Sequence, residues 1–125
     1  MIAHAMLVVT DSERAKAFYA RALAPLGYRK NMDFGEAAGF NDGQNTDFWI
    51  AQRTVVEPLH LAFQAQSREE VDAFYRAALD AGARDNGAPG YRTEYWPGYY
   101  AAFVHDPDGH NVEAVFYDYD RAEQA

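Results

Sequence analysis

Hydrophobic and polar positions change their period along this chain of 125 residues, and the changes mark its elements. Ala5 to Thr10 is apolar and becomes β-branched toward its end, and Leu59 to Gln66 alternates, so both stretches read as strands. Each runs through a residue suited to helix capping, Asp11 or Ser67, into an amphipathic segment, roughly 12–25 and 68–81. In the second segment Val71, Phe74, Tyr75, Ala78 and Leu79 fall at i, i+3, i+4, i+7 and i+8, the apolar stripe of a helix. Gly27 and Gly82 are placed to end the two helices. Three strand-like stretches follow each helix, near 28–34, 36–41 and 47–53 in the first half and near 83–86, 99–105 and 111–117 in the second. The last two are joined by Asp106-Pro107-Asp108-Gly109, a strong turn signal.

The two halves are copies of one unit. Ala17-Phe18-Tyr19-Ala20-Arg21-Ala22-Leu23 is matched by Ala73-Phe74-Tyr75-Arg76-Ala77-Ala78-Leu79, an offset of 56 residues. The same offset pairs Asp11 with Ser67 and, further upstream, His4 with His60. The fold class is therefore α+β: a single domain over 1–117 made of two β-α-β-β-β repeats, about 1–54 and 57–117. Gln52 to Pro58 links them, and 118–125 is a polar C-terminal tail. Strand alternation assigns the faces. Leu61 and Phe63, and likewise Val112, Ala114 and Phe116, form apolar faces that should meet the helices. His4, His60 and Glu113 then lie on the opposite face, which curves into a cleft.

Two imidazoles and a carboxylate converging in a cleft form a facial triad suited to one divalent metal ion with open coordination positions. Fe, Mn, Zn, Ni and Co all accept that donor set. His4 and His60 at equivalent places in two repeats, with a strand glutamate, carry the reading; His105 and His110 flank the turn and read as solvated turn residues. Between Asn86 and Tyr100 the chain collects four Tyr and one Trp after a run of turn residues, more aromatic area than a solvated loop retains. That loop is either a lid over the cleft, with Arg92 set to meet an anionic group and Tyr95, Tyr99 and Tyr100 as its wall, or else a dimer contact or packing over a sheet end. Trp49 reads as a core residue.

Composition narrows the partners. There are no cysteines, which removes disulfides, thiolate metal sites and a Cys nucleophile and fits a reducing cytoplasm. With 19 acidic against 11 basic residues the formal charge is −8, which repels phosphate backbones, so neither nucleic acid nor an anionic membrane is an expected partner. No apolar run approaches the ~20 residues of a membrane span, and Met1-Ile2-Ala3-His4 does not open a signal peptide.

His4, the paired Phe-Tyr helices, His60 and the run Asp106-Pro107-Asp108-Gly109-His110-Asn111-Val112-Glu113 together resemble the vicinal oxygen chelate superfamily, the glyoxalase, bleomycin-resistance and extradiol-dioxygenase group. The resemblance extends from His4 to about Phe116. It implies a cupped eight-stranded mixed sheet with helices on its outer face, enclosing a divalent metal, and it matches His4, His60 and Glu113 to the family's ligand positions on the first, fifth and eighth strands. It also implies a small-molecule substrate that chelates the ion through adjacent oxygens, and a homodimer whose modules pair within one chain or between two. Glyoxalase I-type members carry a fourth ligand, a Glu on the fourth strand; here the alignment places Ile50 there, leaving a three-ligand centre closer to the dioxygenases. The implied activity is a lyase, isomerase or dioxygenase reaction. The rival is a bleomycin-resistance-like protein that sequesters a planar compound without catalysis.

Overall fold

The computed structural model describes residues 1–124; Ala125, the last residue of the expected tail, lies outside the described residues. The first repeat runs β1 (Ala5–Val9), α1 (Ser12–Ala22), a 3-10 turn (Ala24–Leu26), β2 (Arg29–Asp33), β3 (Ala37–Asn41) and β4 (Thr46–Gln52). The second runs β5 (His60–Gln64), α2 (Arg68–Asp80), β6 (Arg84–Asp85), β7 (Gly90–Tyr91), β8 (Tyr99–His105) and β9 (Asn111–Tyr117), followed by α3 (Tyr119–Glu123). Both helices start where the caps predict: the side chain of Asp11 accepts from Arg14 N at 3.1 Å, and that of Ser67 from Glu70 N at 3.1 Å. The expected polar tail instead contains α3, because Asp118 caps it by accepting from Arg121 N at 3.0 Å.

The α+β class and the repeated unit are as the sequence implies, and the helices cover one face of the strands. The expected single sheet of eight strands is two sheets, ordered β1-β4-β3-β2 and β5-β9-β8-β6, with β7 paired to β8. In each, the first strand of the repeat lies parallel to the last, and the remaining pairs are antiparallel. The sheets remain separate because β1 and β5 exchange no ladder of hydrogen bonds.

One core joins them underneath. Leu7, Phe18, Phe40, Phe48 and Ile50 of the first repeat share a buried cluster with Phe63, Val71, Phe74, Val104 and Val112 of the second. An edge-to-face series crosses the junction: Tyr19 to Phe48 at 5.0 Å between centroids, then Phe48 to Phe63 at 5.1 Å. Above this core the Asp106–His110 turn reaches back onto the first repeat. Tyr19 OH donates to Asp106 Oδ2 at 2.5 Å, and Thr10 Oγ1 donates to Asp108 Oδ1 at 2.6 Å. His110, expected in solvent, is fully buried: its Nδ1 accepts from Leu59 N at 3.1 Å and its Nε2 donates to Val8 O at 2.7 Å. With one nitrogen accepting and the other donating, the ring is fixed in one orientation. His105 is also not a solvated turn residue; it ends β8 half-buried and pairs with Asn111.

Tyr19 and Asp106 give a testable consequence. Burial first, and then the Asp106 charge beside it, hold the Tyr19 phenol well above the ordinary value of 10.0. Tyr19→Phe leaves a buried carboxylate oxygen short of a donor and should lower stability by about 1–3 kcal/mol at neutral pH. Above pH 10 the unfolded parent loses a proton that the folded parent keeps, so the parent's stability falls there while the variant lacks this term. Urea unfolding should therefore show a gap between the two proteins at pH 7 that narrows above pH 10.

Candidate functional site

On the second sheet, the face away from the helices carries a smaller cluster of Ala101, Phe103 and Val115, with Tyr99 and Tyr117 packed against it. Alternation along β9 turns Glu113 to this face, and alternation along β5 turns His60 there. Glu113 is 1% exposed, whereas the His60 side chain is half-exposed. The two meet: His60 Nε2 lies 2.6 Å from Glu113 Oε1. The other carboxylate oxygen, Oε2, accepts from Tyr99 OH. Burial, followed by the bond to Glu113, raises the Tyr99 phenol above its ordinary range, so it stays a proton donor. A carboxylate this deep is costly without donors, and here each oxygen has one.

His4 stands apart from this pair. It is exposed, precedes β1, and lines a cavity of about 540 Å³ with Asp42, Asp47, Gln64 and Gln66. The reason is the sense in which β1 and β5 meet. Val8 and Thr10 lie against the turn that adjoins Leu59, at the start of β5, so the start of β1 falls beside the end of β5. His4 and His60 consequently occupy opposite ends of the seam. Among the described residues, no three His, Asp or Glu side chains are grouped closely enough to hold one ion.

The fourth-strand position also needs correction. Register pairs Ala5 with Phe48 and Leu61 with Val112, so Phe48 and Val112 are equivalent, and the counterpart of Glu113 is Trp49 rather than Ile50. Ile50 is fully buried beneath the helices. Trp49, expected in the core, lies on the opposite face, half-buried, with Phe34 parallel to it at 6.2 Å. Its indole covers Gly39, where a Cβ would come within 3.0 Å of the ring. One repeat thus presents a carboxylate and an imidazole, and the other presents an indole at the matching place.

The aromatic loop divides its residues between two layers. Arg92 remains on the open face: its Nη2 donates to Ala88 O at 2.7 Å and its guanidinium lies over Phe103, 5.4 Å from the ring centroid. Phe103 in turn stands 6.2 Å from the His60 ring. Tyr95 stacks edge-on to Tyr99 at 5.3 Å and is largely exposed. Tyr100 does not face the cleft. It packs against the main core and donates to Asp72 Oδ1 on α2 at 2.6 Å, with burial and then that bond pushing its phenol up to about 12. Tyr99, placed with the loop wall by the sequence reading, reaches Glu113 instead. That contact depends on the β8–β9 pairing, which puts Tyr99 and Glu113 on one face of adjacent strands.

The fold agrees with what the chain resembles. Residues 1–114 match the model of the Glyoxalase/Bleomycin resistance protein/Dioxygenase superfamily, and the chain belongs to that superfamily. A glyoxalase/bleomycin resistance protein from Albidiferax ferrireducens T118 is 29% identical over 91% of this chain and 96% of its own, with a TM-score of 0.79. Lactoylglutathione lyase from Agrobacterium tumefaciens shares 18% identity over 95% of each chain, with a TM-score of 0.70. TioX from Micromonospora sp. ML1 shares 18% over 90% of this chain and 95% of its own, with a TM-score of 0.69. These last two likenesses are of fold. No curated protein matches the chain. Among the described residues, no helix is long and apolar enough to cross a membrane.

Proposed function

We propose that this protein is a divalent-metal enzyme acting on a small substrate that chelates the ion through adjacent oxygens, in a lyase, isomerase or dioxygenase reaction. The observation that carries the reading is the His60–Glu113 pair: an imidazole nitrogen and a carboxylate oxygen 2.6 Å apart, one end buried and braced, the other open. This donor set suits Fe, Mn, Zn, Ni or Co. When bound, the ion supplies a Lewis acid that stabilises negative charge developing on a substrate oxygen. His60 and Glu113 would hold it through Nε2 and Oε1. His4, at the other end of the seam from His60, would complete a triad only if supplied by a second copy in a homodimer. Arg92, which has no carboxylate partner among the described residues, orients an anionic substituent of the substrate beside Phe103.

A second reading, sequestration of a planar compound without catalysis, draws support from Trp49. An indole packed against Gly39, with Phe34 parallel to it, offers an aromatic surface where a fourth ligand would otherwise stand.

Metal analysis of untagged protein separates the readings: about one equivalent of divalent ion is expected in the parent, with near-complete loss in His60→Ala and no loss of fold. Retention of parent-like metal by His60→Ala would rule out the triad. Co-expressing His4→Ala with His60→Ala tests who supplies His4. If the triad spans two chains, mixed dimers recover about one site in two; if it lies within one chain, they recover none. Arg92→Ala should weaken binding of a carboxylate-bearing catechol, measured by calorimetry, while metal content and thermal midpoint stay at parental values. A lowered midpoint with normal binding would make the loop a packing contact.

A further inference from the structure

We propose that Tyr99 is the positioning residue for Glu113, and that the aromatic loop exists to hold Tyr99 in place rather than to cover the cleft. The inference rests on the metal reading above and assigns a role to a residue outside its donor set.

A carboxylate on a strand has two equivalent oxygens and a side chain free to turn, so either oxygen could face the cleft. In this site the two are made inequivalent. Tyr99 OH donates to Oε2, which leaves Oε1 as the oxygen presented to His60. The contact is possible because Tyr99 lies on β8, across from Tyr117 at the far end of β9, with Ala101 and Val115 between it and Glu113. The small side chain of Ala101 lets the phenol lie along the sheet to reach the carboxylate.

The ring is fixed from both sides. Tyr95 meets it at 5.3 Å and 79°, and Tyr117 at 5.7 Å and 78°. Trp96 extends the group, packing on Tyr117 at 6.2 Å and on Tyr119 of α3 at 5.3 Å. The backbone around Tyr99 is pinned as well. Arg92 N donates to Tyr99 O at 2.7 Å, Tyr99 N donates to Trp96 O at 3.0 Å, and Asp118 N donates to Gly98 O at 2.7 Å. Gly98 allows the last of these approaches, since a Cβ there would fall 2.0 Å from Asp118 O. Tyr95 and Trp96 of the loop thus brace one phenol, and α3 forms part of the same brace.

Groups that hydrogen-bond a metal's ligands set the ligands' orientation and basicity, and losing one typically costs roughly 10–100-fold in metal affinity. The test is a Co2+ titration of metal-free protein, followed by calorimetry and by the visible spectrum of the bound ion, for the parent, Tyr99→Phe and Tyr117→Phe. Tyr99→Phe should bind Co2+ roughly 10–100-fold more weakly, with an altered spectrum, because the carboxylate is no longer held by Oε2. Tyr117→Phe trims a hydroxyl from the same stack that makes no bond to Glu113, and it should match the parent in affinity and spectrum. Parental affinity and spectrum in Tyr99→Phe overturn the role assigned to Tyr99 and leave the metal reading standing. An equal loss in Tyr117→Phe overturns it too, since general loosening of the stack would then account for both. A folded parent that takes up no Co2+ overturns the metal reading and the assignment together.

Discussion

Everything about this molecule's open face depends on the polar clamp that the Asp106–His110 turn makes with the first repeat. β1 and β5 share no hydrogen-bond ladder, so backbone pairing does not fix one sheet against the other. The helices and the aromatic series from Tyr19 through Phe48 to Phe63 supply adhesion, but apolar contact alone is tolerant of sliding. Directional bonds remove that freedom. Tyr19 to Asp106, Thr10 to Asp108 and His110 to Val8 each join groups far apart in sequence, and two of the three are shielded from water. Their geometry fixes the antiparallel sense of the seam, and that sense keeps His4 away from the His60–Glu113 pair, which the β5–β9 ladder brings together.

The repeats have diverged where symmetry would otherwise have duplicated the site. At equivalent places one sheet has Glu113 beside Phe103, and the other has Trp49 beside Gly39. The pairs are coupled choices. A buried carboxylate needs donors on both oxygens and finds them in His60 and Tyr99; a flat indole needs an absent side chain next to it and finds Gly39. Exchanging either member alone would leave a charge without donors or a ring without room. The result is a braced carboxylate in one half and an indole in the other, and on the metal reading that asymmetry would orient a substrate that chelates at one end and is flat at the other.

Much of this was legible in the sequence because the Phe-Tyr helix repeat fixed an offset, and the offset paired His4 with His60. Caps, strand alternation and the Asp-Pro-Asp-Gly turn carried the elements. What failed had a common cause. Ile50 and Trp49 were assigned to the wrong faces because the offset drifts from 56 at β1 to 64 at β4, and helix similarity cannot report a drift within the strands. His110 was read as solvated because a turn residue's burial depends on what the other repeat brings against it. Tyr100 was grouped with its neighbour Tyr99, yet adjacent residues of a strand face opposite ways, and once β8 includes both, one must meet α2 and the other the cleft.

Charge adds the last constraint. A chain of net charge −8 favours the approach of a divalent cation and opposes that of an anionic substrate. On the metal reading, the positive charge needed by an anionic substrate must therefore come from the site itself. Arg92 supplies one such charge, held over Phe103 by the Ala88 carbonyl rather than neutralised by a carboxylate. The ion supplies more, and being closer to the chelating oxygens it would dominate. On that reading substrate affinity would be subordinate to metal occupancy, because without the ion the His60–Glu113 pair would present a carboxylate's field to an incoming anion. The brace on Glu113 acts at the start of that order, because the oxygen it turns toward His60 is the one that would receive the ion.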